Sequence, residues 1–419
     1  MNKLLLSAKE NLQLKGEINL TGSKSESNRA LILQYLYPDK ITVNNLSEAD
    51  DTTTLQNILK SIKRTQDFQT IDVGPAGTAM RFLTAFLSVC EGNFILTGSE
   101  RMQQRPIGPL VDALKDLGAE IGYGKNVHFP PLIIRGKKGL GGKEIHIDGS
   151  VSSQYLSACL LIAAILPNGI KMVIENELTS RPYLKMTLDM LAKVGIDHHW
   201  ENNVIDISPQ TASVTEIYIE PDWSAASYWY SLVALSADGE IFLKGLKRKS
   251  LQGDIAIVEI MESLGVKSEF DDLGVTISKT EKSTKEELFI DFKECPDLAQ
   301  TVIVCAAALG QDLKMTGLET LKIKETNRVL ALQNELAQFN VSISQEGQSY
   351  YLKSSAFKCP EYAVVKTYED HRMAMAFAPL VLKCGIIMIE DPEVTGKSYP
   401  DFWKHLSAKG ISLDFREAL

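Results

Sequence analysis

Basic residues recur in this sequence beside short turns that open apolar stretches. Lys24 and Arg29 lie in GSKSESNR, Arg81 in GPAGTAMR, Arg105 before Pro106 and Arg181 before Pro182. Lys324 and Arg328 begin and end KETNR, Arg372 follows Asp370 and His371, and Lys397 sits in TGKSYPDF. The turns GSKS, GPAGTA and GSVSS are of the kind that start helices, whose first N–H groups and partial positive charge suit phosphate or carboxylate. Arginine grips such groups through paired N–H bonds, while lysine acts as a point charge and can carry a proton. Together these residues suit a small molecule with several negative charges. Each also has a plainer use alone. GSKS can cap a helix, Arg105-Pro106 can open one, KETNR can be a solvated start, and Asp370 can be a cap. Recurrence at equivalent places favours the anion reading.

Equivalent places need equivalent elements, and the chain supplies them. Six segments each join a polar or glycine-containing turn to about a dozen mostly apolar residues and then a Gly or Pro stop. They begin at Gly22, Gly74, Gly149, Pro221, Pro296 and Glu369, so successive starts are 52, 75, 72, 75 and 73 residues apart. Apolar nearly all round, these segments are expected to form buried helices. Alternating with them are amphipathic stretches: DTTTLQNILKSIKR, VDALKDLGAEI, LDMLAKVGID, VEIMESLGVKS, LQNELAQFNVSI and WKHLSAKGISL. Their apolar residues recur at i, i+3, i+4 and i+7, and most run through a Gly stop into a β-branched strand. The chain reads as six β/α units, three to a domain, with buried helices inside and amphipathic helices with sheet outside. At 419 residues two such domains are expected. If the units are pseudo-symmetric, the basic helix starts face a shared cleft.

Composition narrows the partners. Hydrophobic residues are 44% and charged residues 23%, an ordinary globular balance. A net charge of −9 argues against nucleic-acid or anionic-membrane surfaces as partners, though not against a local basic pocket. No apolar run approaches the roughly 18–20 residues of a membrane span, and the start MNKLLLSAKENLQLKGEI does not read as a signal peptide. The six cysteines form no C-x-x-C pair; Cys90, Cys159, Cys305 and Cys384 sit in or beside apolar segments, as thiols in a reducing cytoplasm would. No spaced metal-ligand set and no G-x-G-x-x-G fingerprint occurs, and His198-His199 are merely adjacent.

The stretches GSKSESNRA, AGTAMR, RMQQRPIGPLVDAL, DGSVSSQYL, SRPYL, LQGD, PDLAQT, KETNR, EDHRMAMAF and TGKSYPDF follow one another from about residue 22 to 402. In content and order this set resembles the enolpyruvylshikimate phosphate synthases, over nearly the whole chain. The resemblance implies an α/β fold of two similar inside-out domains, each of three β-α-β-α-β-β units around buried parallel helices. It divides the chain into residues 21–221 and residues 1–20 with 222–419, the N-terminal strand joining the C-terminal domain. It implies substrates bound in a closing cleft, and transfer of the carboxyvinyl group of phosphoenolpyruvate to the 5-hydroxyl of shikimate 3-phosphate. No cofactor or metal is implied; the partners are those two small molecules, and the protein is expected to be a cytoplasmic monomer.

The matching positions for shikimate 3-phosphate are Lys24, Ser25, Arg29, Ser152, Ser153, Gln154, Ser180, Asp297 and Lys324, with Tyr183 against the ring and Arg29 on its carboxylate. For phosphoenolpyruvate they are Lys24, Gly77, Arg105, Gln154, Arg328, Arg372 and Lys397. Asp297 is expected to take the hydroxyl proton, and Glu325 with Lys24 to serve C3; as plain structure, Asp297 would cap a helix and Glu325 would favour its dipole. His371 is expected to support the substrate-binding groups or to neighbour the substrates, rather than to hold a metal. Two positions depart from the commoner pattern. Pro75 stands where many members have Asn, which puts glyphosate sensitivity in question, and Thr320 stands where Asn is frequent. The sister transferases acting on UDP-N-acetylglucosamine use a loop cysteine, and ERMQQRPIG has none.

Overall fold

The computed structural model describes residues 2–63, 65–281 and 286–416. The chain falls into two compact units, one of Gly22–Ile219 and one of Met1–Thr21 with Glu220–Leu419. The first carries α1 (Lys24–Leu36), α2 (Asp50–Ser61), α3 (Gly77–Val89), α4 (Gly108–Asp116), α5 (Ser153–Ala163) and α6 (Arg181–Lys193). The second carries α7 (Trp223–Leu235), α8 (Ile257–Ser263), α9 (Ala299–Ala308) and α10 (Arg328–Ala337). It continues with α11 (His371–Phe377), the single turn α12 (Val381–Cys384) and α13 (Phe402–Ala408).

The apolar segments are the buried helices. Every residue of α9 and of α11 is buried, as is all of α7 except Ser224. Within the first unit α1, α3 and α5 pack on one another; within the second α7, α9 and α11 do. A helix apolar on all sides is stable only with neighbours all round it, and the strands that flank it supply them. Phe68–Asp72 and Gly92–Thr97, on either side of α3, pair in parallel; Glu144–Asp148 and Ile170–Glu175 do the same around α5. In the second unit Glu287–Asp291 and Asp312–Thr316 enclose α9, and Val364–Val365 and Ile386–Glu390 enclose α11. The amphipathic helices other than α2 then lead to antiparallel strands, as α10 leads to Ser342–Glu346 and Ser349–Lys353. Glycine at positive φ ends most of these helices, for example Gly195 (φ 78°) after α6, while Asn340 (φ 58°) takes that place after α10.

The remaining pairings show how the chain is threaded. Gln13–Ile18, before α1, pairs in parallel with Asp238–Lys244, after α7. Ile41–Asn44, after α1, pairs in parallel with Thr215–Tyr218, before α7. Lys3–Ser7 runs antiparallel between Ile386–Glu390 and Ser412–Arg416, with Leu5 opposite Met388 and Asp414. The short first period of the sequence has a structural cause: α2 is followed directly by Phe68–Asp72, with no hairpin between them. Among the described residues, no helix is long and apolar enough to cross a membrane.

Cys159 and Cys305 are buried in α5 and α9, as their apolar surroundings predict, and burial pushes both thiols up to about 12. Cys384 departs from expectation. It ends α12, where the chain turns outward at Gly385, and it is disulfide-bonded to Cys359, 25 residues earlier. A link closing a loop of this size stabilises by about 3 kcal/mol, chiefly by restricting the unfolded chain. Reductant is therefore expected to lower the urea midpoint of the wild type and to leave a Cys359→Ser, Cys384→Ser variant unmoved. Equal midpoints for the wild type with and without reductant would contradict this.

Candidate active site

In the Gly22–Ile219 unit the named residues gather at the starts of α1, α3, α5 and α6. Ser23 caps α1 through Glu26 N–H, and Lys24 in its first turn pairs with the buried carboxylate of Asp51 on α2 at 3.2 Å. Asp51 was not singled out from the sequence; as one of two acids in the first turn of α2 it reads simply as a helix-dipole feature. No side chain caps α3. Instead the guanidinium of Arg105 lies over Gly77, where an added Cβ would come within 2.8 Å of Arg105 Nη1. A side chain at that position would displace the guanidinium of Arg105. Arg81 points inward, donating to the carbonyls of Gly77 and Pro106 at 3.3 and 3.0 Å. Pro75 follows Gly74, which has φ 55°.

Ser152 caps α5, accepting from Gln154 N–H at 3.3 Å, and Ser153 beside it is buried. Ser180 precedes α6 in the left-handed region at φ 54°, a costly place for a serine and one that concentrates at functional sites. Arg29 is held mainly by the protein itself. Its Nε donates to Thr187 Oγ1 at 2.7 Å, Nη1 to the Ser25 carbonyl at 2.9 Å, and Nη2 to Ser157 Oγ and the Tyr183 carbonyl. Four of its five N–H donors therefore serve the protein, and burial lowers its pKa to about 10. It ties α1 to α5 and α6. Arg181 also turns away, its guanidinium 4.7 Å from the centre of the Trp200 ring.

In the other unit the named residues form one charge network. Arg328, 2% exposed, begins α10; its Nε donates to Asp370 at 2.7 Å, Nη2 to Glu325 at 2.9 Å and Nη1 to Asp297 at 3.2 Å. Burial works against this guanidinium's charge, but Asp370, Glu325 and Asp297 overcome that and hold its pKa above the ordinary value. Arg372, in the first turn of α11, pairs with the second oxygen of Asp297 at 2.9 Å, and Lys397 pairs with Glu325 at 3.0 Å. Asp297 is no helix cap here: it lies in the short 3-10 turn that leads into α9, with its carboxylate spread between two arginines. Asp370 does cap α11, through Arg372 N–H at 2.9 Å, and holds Arg328 as well. His371 is buried beside it, Nδ1 3.5 Å from Asp370 Oδ1. Lys324 and Thr320 are half-buried on the approach to Glu325.

Behind this network lie residues that the sequence did not single out. Arg372 donates to Tyr228 OH at 3.3 Å and to Ser224 Oγ at 3.4 Å, and Ser224 Oγ donates to Asp254. Asp254 belongs to LQGD, so its motif was visible and its role was not. It is 4% exposed and, among the described residues, its Oδ1 has no hydrogen-bond partner. Burial, and then the charge of Asp297, raise its pKa from 3.8 to about 7. This arrangement of carboxylates and cations around helix starts can hold polyanions and exchange protons with them. Among the described residues, no cluster suited to a metal ion occurs.

The raised value at Asp254 has a thermodynamic consequence. Between about pH 4 and 7 the folded form binds a proton that the unfolded chain has lost, so this contribution to stability is full below about pH 4 and declines toward pH 7. Asp254→Asn removes it. The melting temperature of the variant is expected to rise relative to the wild type across that window, and a constant difference would contradict the assignment.

Comparison with known proteins identifies the family. The family model for EPSP synthase (3-phosphoshikimate 1-carboxyvinyltransferase) matches residues 9–70 and 64–406. A 3-phosphoshikimate 1-carboxyvinyltransferase of Bacteroides fragilis is 43% identical over 420 residues, covering 99% of this chain and all of that one. One from Psychromonas ingrahamii is 38% identical, covering 94% and 96%. The fold is that of the EPSP synthase from Acinetobacter baumannii, with TM-score 0.79 over the full length of both chains at 19% identity. The chain belongs to the EPSP synthase family, the 3-phosphoshikimate 1-carboxyvinyltransferases.

Proposed function

We propose that these residues carry the carboxyvinyl group of phosphoenolpyruvate to the 5-hydroxyl of shikimate 3-phosphate by addition and then elimination. The observation that supports their roles best is the double pairing of Asp297 with Arg328 and Arg372. A carboxylate neutralised by two guanidiniums is a poor proton acceptor. When the phosphoenolpyruvate anion takes over Arg328 and Arg372, together with Lys397, Asp297 loses those partners and becomes the better base. It then takes the proton of the 5-hydroxyl as that oxygen attacks C2. Glu325, with Lys24, delivers a proton to C3, giving a tetrahedral adduct. In the second step the C2–O bond to phosphate breaks, C3 returns its proton to the same group, and phosphate leaves with the proton that Asp297 had taken.

Lys24, Gly77, Arg105 and Gln154 also serve phosphoenolpyruvate. Shikimate 3-phosphate is taken by Lys24, Ser25, Ser152, Ser153, Gln154, Ser180, Tyr183, Asp297 and Lys324. Arg29 contributes its remaining donor to the ring carboxylate and otherwise holds Tyr183 in place. The same reading puts the protein in the cytoplasm as a monomer acting on small molecules, and the net charge of −9 argues against a polyanionic surface as partner.

Purified protein given both substrates, without metal or nucleotide, is expected to release phosphate; UDP-N-acetylglucosamine in place of shikimate 3-phosphate is expected to give none. Release with the UDP-sugar alone would overturn the reading. Asp297→Asn is expected to lower kcat by about 10²–10⁴ while retaining the fold; turnover near wild type would remove Asp297 from the mechanism.

A further inference from the structure

Arg372 is carried by a segment whose backbone is unusual. Tyr368 (φ 54°) and Glu369 (φ 56°) are consecutive left-handed residues, and neither is glycine. Each such residue is disfavoured and persists only where its surroundings impose it. Asp370 follows at once, then His371 and Arg372 in the first turn of α11.

The constraint comes from α10. Arg328 and Glu335 are seven residues apart on that helix, hence on one face, and both are buried. Arg328 holds Asp370, after the left-handed pair. Glu335 holds the chain at and before it: Oε2 accepts from Lys366 N–H at 3.2 Å, and Oε1 accepts from Tyr368 OH at 2.7 Å. Gln338 Nε2, at the C-terminal cap of α10, also donates to Glu335 Oε2 at 2.7 Å, fixing the carboxylate from the helix end. Burial, and then the bond to Glu335, push the Tyr368 phenol up to about 12, so it remains a donor at neutral pH. The segment from Lys366 to Asp370 is thus fastened at both ends to one face of α10, with the strained turn between.

We infer that Tyr368 and Glu335 are positioning residues for the anion-binding pair Arg328 and Arg372, acting through the left-handed turn and touching neither substrate. This rests on the reading that Arg372 binds phosphoenolpyruvate. Without the Tyr368–Glu335 bond the turn relaxes toward ordinary backbone, Asp370 shifts from Arg328, and α11 presents Arg372 differently. The effect belongs to phosphoenolpyruvate binding rather than to the fold, because the buried body of α11 lies downstream of the turn.

The test is steady-state kinetics of Tyr368→Phe, Arg372→Lys and the double variant, with melting temperatures alongside. Tyr368→Phe is expected to raise KM for phosphoenolpyruvate by about tenfold and to change KM for shikimate 3-phosphate less than about twofold, with little change in melting temperature. Glu335→Gln, which keeps an acceptor for Tyr368, is expected to fall between Tyr368→Phe and wild type. The double variant is expected to be little worse than Arg372→Lys alone, because both changes act on one contact. If Arg372→Lys raises that KM and Tyr368→Phe does not, the inference fails while the site reading stands. If Tyr368→Phe only lowers the melting temperature, or raises both KM values alike, its role is structural and the inference fails. If Arg372→Lys leaves the phosphoenolpyruvate KM unchanged, the site reading itself fails and takes this inference with it.

Discussion

The Glu220–Leu419 unit depends on how one buried guanidinium is kept charged. Removing Arg328 from water costs several kcal/mol unless its donors meet acceptors of opposite charge. Asp297, Glu325 and Asp370 meet that need, and they stand before or at the starts of α9, α10 and α11 respectively. Deleting one of them leaves Arg328 two carboxylates and one weakened hydrogen bond, at a cost of about 1–3 kcal/mol. The network therefore fixes the starts of three helices while it gathers the groups a polyanionic substrate needs. Structural and chemical roles fall on the same contacts, and Arg372 and Lys397 extend them through Asp297 and Glu325.

The buried helices make such a network possible. Because α9 and α11 are apolar along their bodies, polar residues are confined mostly to their starts, where backbone N–H groups need partners anyway. The parallel pairing around each helix fixes its direction relative to its sheet. The Gly22–Ile219 unit repeats the scheme with different chemistry. There Arg29 and Arg81 are spent largely on backbone and hydroxyl acceptors, while Lys24 and Arg105 stand nearer the helix starts.

Much of this was legible in the sequence, for identifiable reasons. The near-constant spacing exposed the six buried helices, and glycine stops marked the ends of most of their amphipathic partners. The motifs picked out Asp297, Glu325, Arg328, Arg372 and Lys397, which the structure joins through direct ion pairs. Other features depend on tertiary contact and left no local trace. Asp51 looks like a helix-dipole acid until Lys24 is placed against it, and Glu335 is one more polar residue of an amphipathic helix until Tyr368 reaches it. The charged character of Arg29 suggested a ligand contact, whereas its neighbours claim most of its donors. Cys384 looked like a small hydrophobe because its apolar neighbours precede it; the turn at Gly385 brings it to Cys359 instead.

The central claim is that Arg328 and Arg372 exchange Asp297 for substrate oxygens, and a crystal structure with shikimate 3-phosphate and phosphoenolpyruvate tests it most directly. The account predicts phosphoenolpyruvate oxygens within hydrogen-bond distance of both guanidiniums, and Asp297 moved from its 2.9 Å contact with Arg372 toward the 5-hydroxyl. Asp297 still paired with both arginines, and phosphoenolpyruvate bound elsewhere, would contradict it.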